Sequence, residues 1–261
     1  MGNTLSKMIL AAESGGEELR KLFGKSLATT RKSTAADFFT VADLRSERRI
    51  LNILKKNFPE YNILSEEKGY INNHSKFTFV VDPLDGTNNF VLGTPNFSAA
   101  IALFKGDKVI QAVVRQPILK ETFSAELGMG ANRNGRRLKV NKETQLSHTT
   151  VAYSARYSTS ANRETDTIRA LLKLGLKRVL TTWAPEMDFC LLAQGRIEAL
   201  VSDRNELYDF AAGKLIAEEA GAHCTDYFGA RLKNDRAPTF VAGGAANIQM
   251  AVARAVRRAV G

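Results

Sequence analysis

The residues best suited to chemistry sit in one short run, Val81-Asp82-Pro83-Leu84-Asp85-Gly86-Thr87-Asn88-Asn89-Phe90. It follows an apolar stretch, Phe77 to Val81, whose β-forming residues predict a buried strand. Pro83 and Gly86 are expected to turn the chain, so that both acids project from the end of a rigid element. Two carboxylates three residues apart in such a turn can converge on hard cations such as Mg²⁺, which take oxygen ligands and share them with substrate phosphate. The backbone N–H groups of Gly86 and Thr87 can then face a phosphate unobstructed. The Thr87 hydroxyl is available to orient an attacking water. Read alone, the run also fits an Asx-type turn whose carboxylates bond only backbone amides.

Two further acidic positions change the balance. Ser65-Glu66-Glu67-Lys68-Gly69 precedes the predicted strand, and Asp209 stands at the start of a predicted helix. Adjacent glutamates usually mark a solvated face, and an aspartate there usually caps its helix. Taken together, Glu66, Asp82, Asp85 and Asp209 can form a two-metal carboxylate site. Such a site clamps the attacking and leaving oxygens of an in-line displacement. Phosphoryl transfer of this kind needs positioning and charge neutralisation, with no nucleophilic Ser, Cys or His. The three histidines, His74, His148 and His223, lack metal-binding spacing, and neither a P-loop nor a GxSxG elbow occurs.

The elements that must position these residues follow from periodicity. Met8 to Phe23 reads as a helix weakened by Gly15-Gly16, and Lys32 to Asp37 as a polar connector. Val41, Leu44, Leu51, Leu54 and Phe58 fall at helical spacing. Strands are expected at Phe97 to Phe104, Val109 to Gln116, Glu121 to Glu126 and Lys139 to Asn141, with the Gly-rich stretch Gly128 to Gly135 as a break. Beyond about residue 145 strands and helices alternate. Strands are expected at Thr149 to Ser154, Arg178 to Thr181 and Ala199 to Ser202. Helices are expected at Thr165 to Leu174, Pro185 to Gln194, Phe210 to Ala220 and Asn247 to Val260. The fold class is therefore α/β (α+β), with one half over residues 1–145 carrying the metal and phosphate motif. The other, residues 146–261, carries Asp209 and the substrate-recognition loops, and the two share a cleft.

Composition narrows the function. The chain has 261 residues, 44% apolar and 25% charged, as expected of a folded domain of this size. No run of about 18 apolar residues occurs, and the N-terminus lacks a secretory core, so neither a membrane partner nor export is expected. Two lone cysteines, Cys190 and Cys224, argue for a reducing, cytoplasmic setting. The net charge of +10 attracts phosphorylated ligands. It also keeps nucleic acid or the transcription machinery as a second class of partner, although the basic residues are scattered pairs without interleaved aromatics. Met1-Gly2-Asn3-Thr4-Leu5-Ser6 fits a loose acylation pattern that chance explains.

At its acidic residues the sequence resembles the inositol monophosphatase family of lithium-sensitive, Mg²⁺-dependent phosphatases. The first motif is Asp82 to Thr87 with Asn89-Phe90. The second is Tyr208-Asp209-Phe210-Ala211-Ala212-Gly213, continuing to Glu219-Ala220-Gly221. Ser65-Glu66-Glu67, the Lys32 to Asp43 stretch, Gly130-Ala131 with Asn134-Gly135, and Gly195-Arg196 add support in the family's order. The resemblance implies an α/β/α/β/α sandwich, often dimeric, that hydrolyses a small phosphorylated metabolite with two or three Mg²⁺ ions. It implies Glu66, Asp82 and the Leu84 carbonyl as ligands of one metal, and Asp82, Asp85 and Asp209 as ligands of another. Thr87 paired with Asp43 resembles the dyad that activates water, with Glu66 beside it. The Gly86 and Thr87 amides, with Asp85 and Asp209, resemble the substrate-binding set, and Lys32 a loop lysine near it.

The departures concern the alcohol. Inositol-specific members carry a glutamate where this chain has Ser202, for which Asp203 or Glu206 are the nearby substitutes. The family's small Gly-Thr-Ala loop is here Trp183-Ala184-Pro185-Glu186, and Tyr208 replaces a tryptophan. Inositol 1-phosphate is the default substrate, with histidinol phosphate, fructose 1,6-bisphosphate or a nucleotide phosphate as alternatives. A negatively charged or aromatic leaving group would suit the basic balance and Trp183.

Overall fold

The chain opens with two helices, α1 (Asn3–Leu22) and α2 (Val41–Asn57), with the hairpin β1 (Thr29–Arg31) and β2 (Phe38–Thr40) between them. The computed structural model describes residues 3–34 and 37–260. The Met1-Gly2 start of the acylation pattern and the Ala35-Ala36 part of the connector lie outside these. Eight strands follow: β3 (Asn62–Ser65), β4 (Gly69–Ile71), β5 (Phe77–Asp85), β6 (Ser98–Lys105), β7 (Lys108–Gln116), β8 (Glu121–Glu126), β9 (Gly130–Arg133) and β10 (Arg136–Arg137). They form one sheet in the order β10-β9-β8-β7-β6-β5-β3-β4, with only β3 and β5 parallel. A short helix, α3 (Thr87–Leu92), leaves the end of β5.

The remaining strands, β11 (Thr150–Ala155), β12 (Arg178–Leu180), β13 (Ala199–Asp203), β14 (His223–Thr225) and β15 (Phe240–Gly243), form a second sheet in the order β12-β11-β13-β15-β14. Four helices accompany them: α4 (Ala161–Leu172), α5 (Pro185–Ala193), α6 (Ala211–Glu219) and α7 (Ala246–Val260). Helices α1 and α2 cover the outer face of the eight-stranded sheet. Helices α5 and α6 lie between the two sheets, and α4 and α7 cover the far face of the second. The result is the α/β/α/β/α sandwich.

Strand pleating divides the core accordingly. On β5, Phe79 and Val81 pack under α1 and α2, while Val80 points to the middle layer. On β13, Leu200 points to the middle layer, and Ala199 and Val201 to the outer one. Both strands are thus apolar on both faces, which is why they read as continuous apolar runs.

Several expectations need correction. Lys139 to Asn141 is not a strand. It is an extended link pinned by the Val140 N–H to the Ala220 carbonyl at 3.0 Å and by Asn141 Nδ2 to the Gly195 carbonyl at 2.8 Å. The Gly-rich stretch is not a break, since it forms β9 and the turn into β10. Helix α2 buries Ala42, Asp43, Ser46, Glu47, Ile50, Leu51 and Leu54, whereas Val41 and Leu44 are exposed. Polar groups are tolerated on that inner face because each finds a hydrogen-bond partner there. No helix among the described residues is long and apolar enough to cross a membrane.

Gly15-Gly16 lies inside α1, which starts earlier than its apolar spacing suggests. A Cβ on Gly15 would stand 2.7 Å from both Ile50 Cγ1 and Ser46 Oγ on α2. The glycine therefore gives up helix propensity for a close helix crossing. Gly15→Ala should lower stability by about 1–2 kcal/mol net, because overpacking outweighs the propensity gain. Urea denaturation reads this directly, and an unchanged or raised midpoint would show that α1 and α2 separate freely.

Candidate active site

The geometry of the acidic run is set by a bulge. Asp82 pairs with Ala100 and Asp85 with Ser98, so three steps on β5 oppose two on β6. Side chains alternate along a strand, so residues 82 and 85 would otherwise face opposite ways. The extra residue restores the phase and turns both carboxylates toward the middle layer, while Leu84 packs under α1 and α2. Pro83 sits within this bulge, one of the few places where a central strand accommodates proline. The strand thus runs on through Asp85, and the turn comes only at Gly86. Its φ of 86° opens α3, and a Cβ there would stand 2.9 Å from the Asn96 carbonyl.

Helix α2 serves the same region with a polar stripe at positions i, i+3 and i+4. Asp43 forms a capping box with Thr40 through Oδ2, leaving Oδ1 to accept from Thr87 Oγ1 at 3.0 Å. Thr87 Oγ1 also lies 3.0 Å from the Leu84 carbonyl. Ser46 donates to the Pro83 carbonyl at 2.7 Å, which holds the bulge. Glu47 accepts from Ser65 Oγ at 2.5 Å and from the Lys68 N–H at 3.0 Å, which holds the turn carrying Glu66.

The remaining carboxylates find their donors at helix starts. Asp85 accepts from the Glu186 and Met187 N–H groups, each at 3.3 Å, and from Ser98 Oγ at 2.9 Å. It thereby caps α5, whose own N-cap, Ala184, offers no side-chain bond. Glu186, buried completely, does the same for α6, accepting from the Ala212 N–H at 3.2 Å and from the Gly213 N–H. Asp209, expected to cap α6, does not. Its Oδ2 accepts from the Glu206 N–H at 2.8 Å, and α6 has Phe210 as its N-cap, which offers no side-chain bond. Asp82 Oδ1 accepts from the Leu84 N–H at 2.9 Å, so the Asx-turn reading is half right.

Burial dominates the electrostatics. It pushes Glu66 and Asp85 up to about 8 and Asp209 up to about 7. Asp82 is held well above the usual carboxylate range, first by burial and then by the charges of Glu66, Asp85, Asp209 and Glu186. Glu66, Asp82, Asp85 and Asp209 thus share one electrostatic environment. Lys32 donates to Glu66 at 2.8 Å and also to Glu67, and these two acids keep its ammonium charged despite burial.

Among the described residues no three Asp, Glu, His or Cys side chains are drawn together tightly enough to hold an ion as they stand. Their chemistry nevertheless suits one. The donors are all oxygen, Asp82 and Asp85 are buried with Glu66 and Asp209 at the pocket wall, and they repel one another, which a hard divalent cation would reverse. Glu186, Ser98, Glu47 and Tyr157 were not singled out from the sequence. Glu186 follows a helix-opening proline, where an acid is ordinarily credited to the helix dipole. The substitutes for the missing glutamate at Ser202 part company. Asp203 is buried and engaged by Arg163 Nε and Nη2, both at 2.8 Å, while Glu206 lines the pocket beside Asp209.

The profile of the inositol monophosphatase family matches residues 4–260. The chain belongs to that family. It is 32% identical over 250 residues to the Nus factor SuhB of Xylella fastidiosa, covering 94% of this chain and 90% of the relative. It is 30% identical over 216 residues to the fructose-1,6-bisphosphatase/inositol-1-monophosphatase of Aquifex aeolicus, covering 81% of each. The solved IMPase of Thermotoga maritima superposes with a TM-score of 0.90 at 28% identity, covering 99% of this chain and 98% of that one. Its relatives therefore include phosphatases, and the layered fold is theirs.

An acid whose folded pKa lies above its unfolded value costs stability at every pH above the unfolded value. Asp82 is such a group at neutral pH. Asp82→Asn, which keeps the Oδ1 acceptor for Leu84, should raise the thermal midpoint in Mg²⁺-free buffer. It should also remove the further rise that millimolar Mg²⁺ gives the parent chain by mass action. Equal Mg²⁺-dependent rises in both proteins would exclude Asp82 as a ligand.

Proposed function

We propose that this chain hydrolyses a small phosphomonoester in a Mg²⁺-dependent reaction with water as the nucleophile. The observation that carries the reading is the β5 bulge. It turns Asp82 and Asp85 to one face, with the Thr87–Asp43 pair directly beside them. Glu66, Asp82, the Leu84 carbonyl, Asp85 and Asp209 would hold two or three ions. Bound there, Mg²⁺ supplies charge neutralisation of the phosphoryl oxygens and lowers the pKa of a water.

The chain's own groups do the rest. Thr87 donates its hydroxyl proton to Asp43, which leaves its oxygen lone pairs to accept from an attacking water and aim it. Asp43 is fixed by Thr40, so the direction of that bond is set before substrate arrives. The Gly86 and Thr87 amides open a helix, where N–H groups point outward, and receive the phosphate. Lys32 lies beside Glu66 and balances charge at the rim.

Relatives named as inositol-1-monophosphatase and fructose-1,6-bisphosphatase favour inositol 1-phosphate or fructose 1,6-bisphosphate as first substrates to try. A second reading, a protein that contacts nucleic acid or the transcription machinery, is supported by the net charge of +10 and by relatives named as Nus factors. Salt-sensitive binding to RNA would favour it.

Asp85→Asn should lower Mg²⁺-dependent phosphate release by about 100-fold or more while leaving the urea midpoint near that of the parent. The side chain keeps its shape and some of its bonds but loses its charge. Near-parental turnover of this variant would mean that the two-metal assignment is wrong.

A further inference from the structure

A pocket of about 270 Å³ continues from Glu66 and Asp209 into the second half of the chain. Its walls are aromatic: Trp183, Tyr157 and Tyr208. Trp183 has a φ of 55° and is 56% exposed. A bulky side chain in the left-handed region is rare, and a conformation of this kind persists only where its surroundings enforce it. Here the preceding residue is held on both sides. Asn89 Nδ2 donates to the Thr182 carbonyl at 2.7 Å, and Thr182 Oγ1 donates to Asp188 at 2.7 Å. The indole is thereby left beside the phosphate motif with an open face. Tyr157 is tied to the same motif, its hydroxyl accepting from Asn88 Nδ2 at 3.1 Å.

The acids that could replace the glutamate of inositol-specific members are already engaged, Asp203 by Arg163 and Glu206 by Arg156. Ser202, in place of that glutamate, donates to the Pro238 carbonyl. A second phosphate is no better served. The one guanidinium lining the pocket, Arg156, is already paired with Glu206 at 2.5 Å. Asp37 and Glu164 complete the charged lining, so acids outnumber bases away from the carboxylates assigned to metal.

We propose that the pocket selects phosphomonoesters of a ring-bearing, positively charged alcohol, with the ring or its cation stacked on Trp183 and the charge facing Glu164. This rests on the phosphatase reading above, and it makes Trp183 a specificity-determining residue. Aromatic faces attract cations, which gives a charged ring an electrostatic attraction that a neutral polyol lacks.

Trp183 is the sole tryptophan, so its fluorescence reports occupancy independently of turnover. Titration of the Mg²⁺-loaded enzyme with histidinol, an imidazole- and amine-bearing alcohol, should change the emission saturably. The half-point should lie at least about tenfold below any seen with myo-inositol. In parallel, phosphate release from histidinol phosphate, inositol 1-phosphate and glycerol 2-phosphate is compared in the parent chain and in Trp183→Gly. The histidinol phosphate to inositol 1-phosphate ratio of kcat/KM should exceed about 10 in the parent and fall at least about fivefold in the variant, through KM. Histidinol no tighter than myo-inositol overturns the inference, whatever the turnover. Phosphate release from glycerol 2-phosphate alongside an unchanged ratio in Trp183→Gly also overturns it and leaves the phosphatase reading standing. Saturable histidinol binding with no phosphate released from any ester supports the pocket's selectivity and overturns the phosphatase reading.

Discussion

A carboxylate taken out of water needs donors, and this fold finds them at the starts of its own helices. Asp85 caps α5, and Glu186, in the first turn of α5, caps α6. The two caps link β5, α5 and α6 in series, so the strand that carries the first motif and the helix that follows the second are held in one frame. The N–H bonds and helix dipoles favour the charged forms, whereas burial and mutual repulsion oppose them. The balance leaves Asp85 and Asp209 near neutrality in their titration, at about 8 and about 7. A set poised in this way is costly to the folded state alone and profits from any bound cation, which is the usual sign of a site kept for function rather than stability.

The opposite face of the sheet contributes through α2. Its stripe of Asp43, Ser46 and Glu47 reaches three separate pieces of the site: Thr87, the Pro83 carbonyl and the turn before Glu66. The close approach that makes this reach work depends on Gly15 in α1, where any side chain would meet Ser46. A packing detail between two helices is thus continuous with the position of Thr87 beside the carboxylates. Precision at the site comes from rigid elements, with the hydroxyl and its acceptor both locked by second bonds.

Much of this was legible in the sequence where chemistry and periodicity agreed. The run from Val81 to Phe90, the strand before it and the helix after Asp209 have strong local signatures. The alternation of strand and helix beyond residue 145 marked the second half, while the layering itself came only from the family resemblance. What escaped depended on partners distant in sequence. Spacing alone put Val41 and Leu44 on the buried face of α2, because apolar residues are assumed to point inward. Asp43, Ser46 and Glu47 point inward instead, since acceptors and donors from β5 and β3 await them. The phase change between Asp82 and Asp85 depends on pairing with β6, which no local pattern encodes. Glu186 looked like an ordinary first-turn acid, and only the approach of α6 gives it a second helix to cap. Strands β9 and β10 were hidden by glycines whose role is the turn geometry around them.

Charge illustrates the same distinction between global and local properties. The net charge of +10 favours anionic partners over the surface as a whole, and it invited a negatively charged leaving group. The pocket itself is lined by Asp37, Glu66, Glu164, Glu206 and Asp209 against Arg156 alone. Surface charge acts over about a Debye length and speeds encounter, whereas selection among bound alcohols is decided at contact distance. A basic exterior with an acidic, aromatic pocket therefore divides the work. On the proposed reading, the exterior would draw in the phosphate of any monoester, and the pocket would discriminate by what the phosphate is attached to.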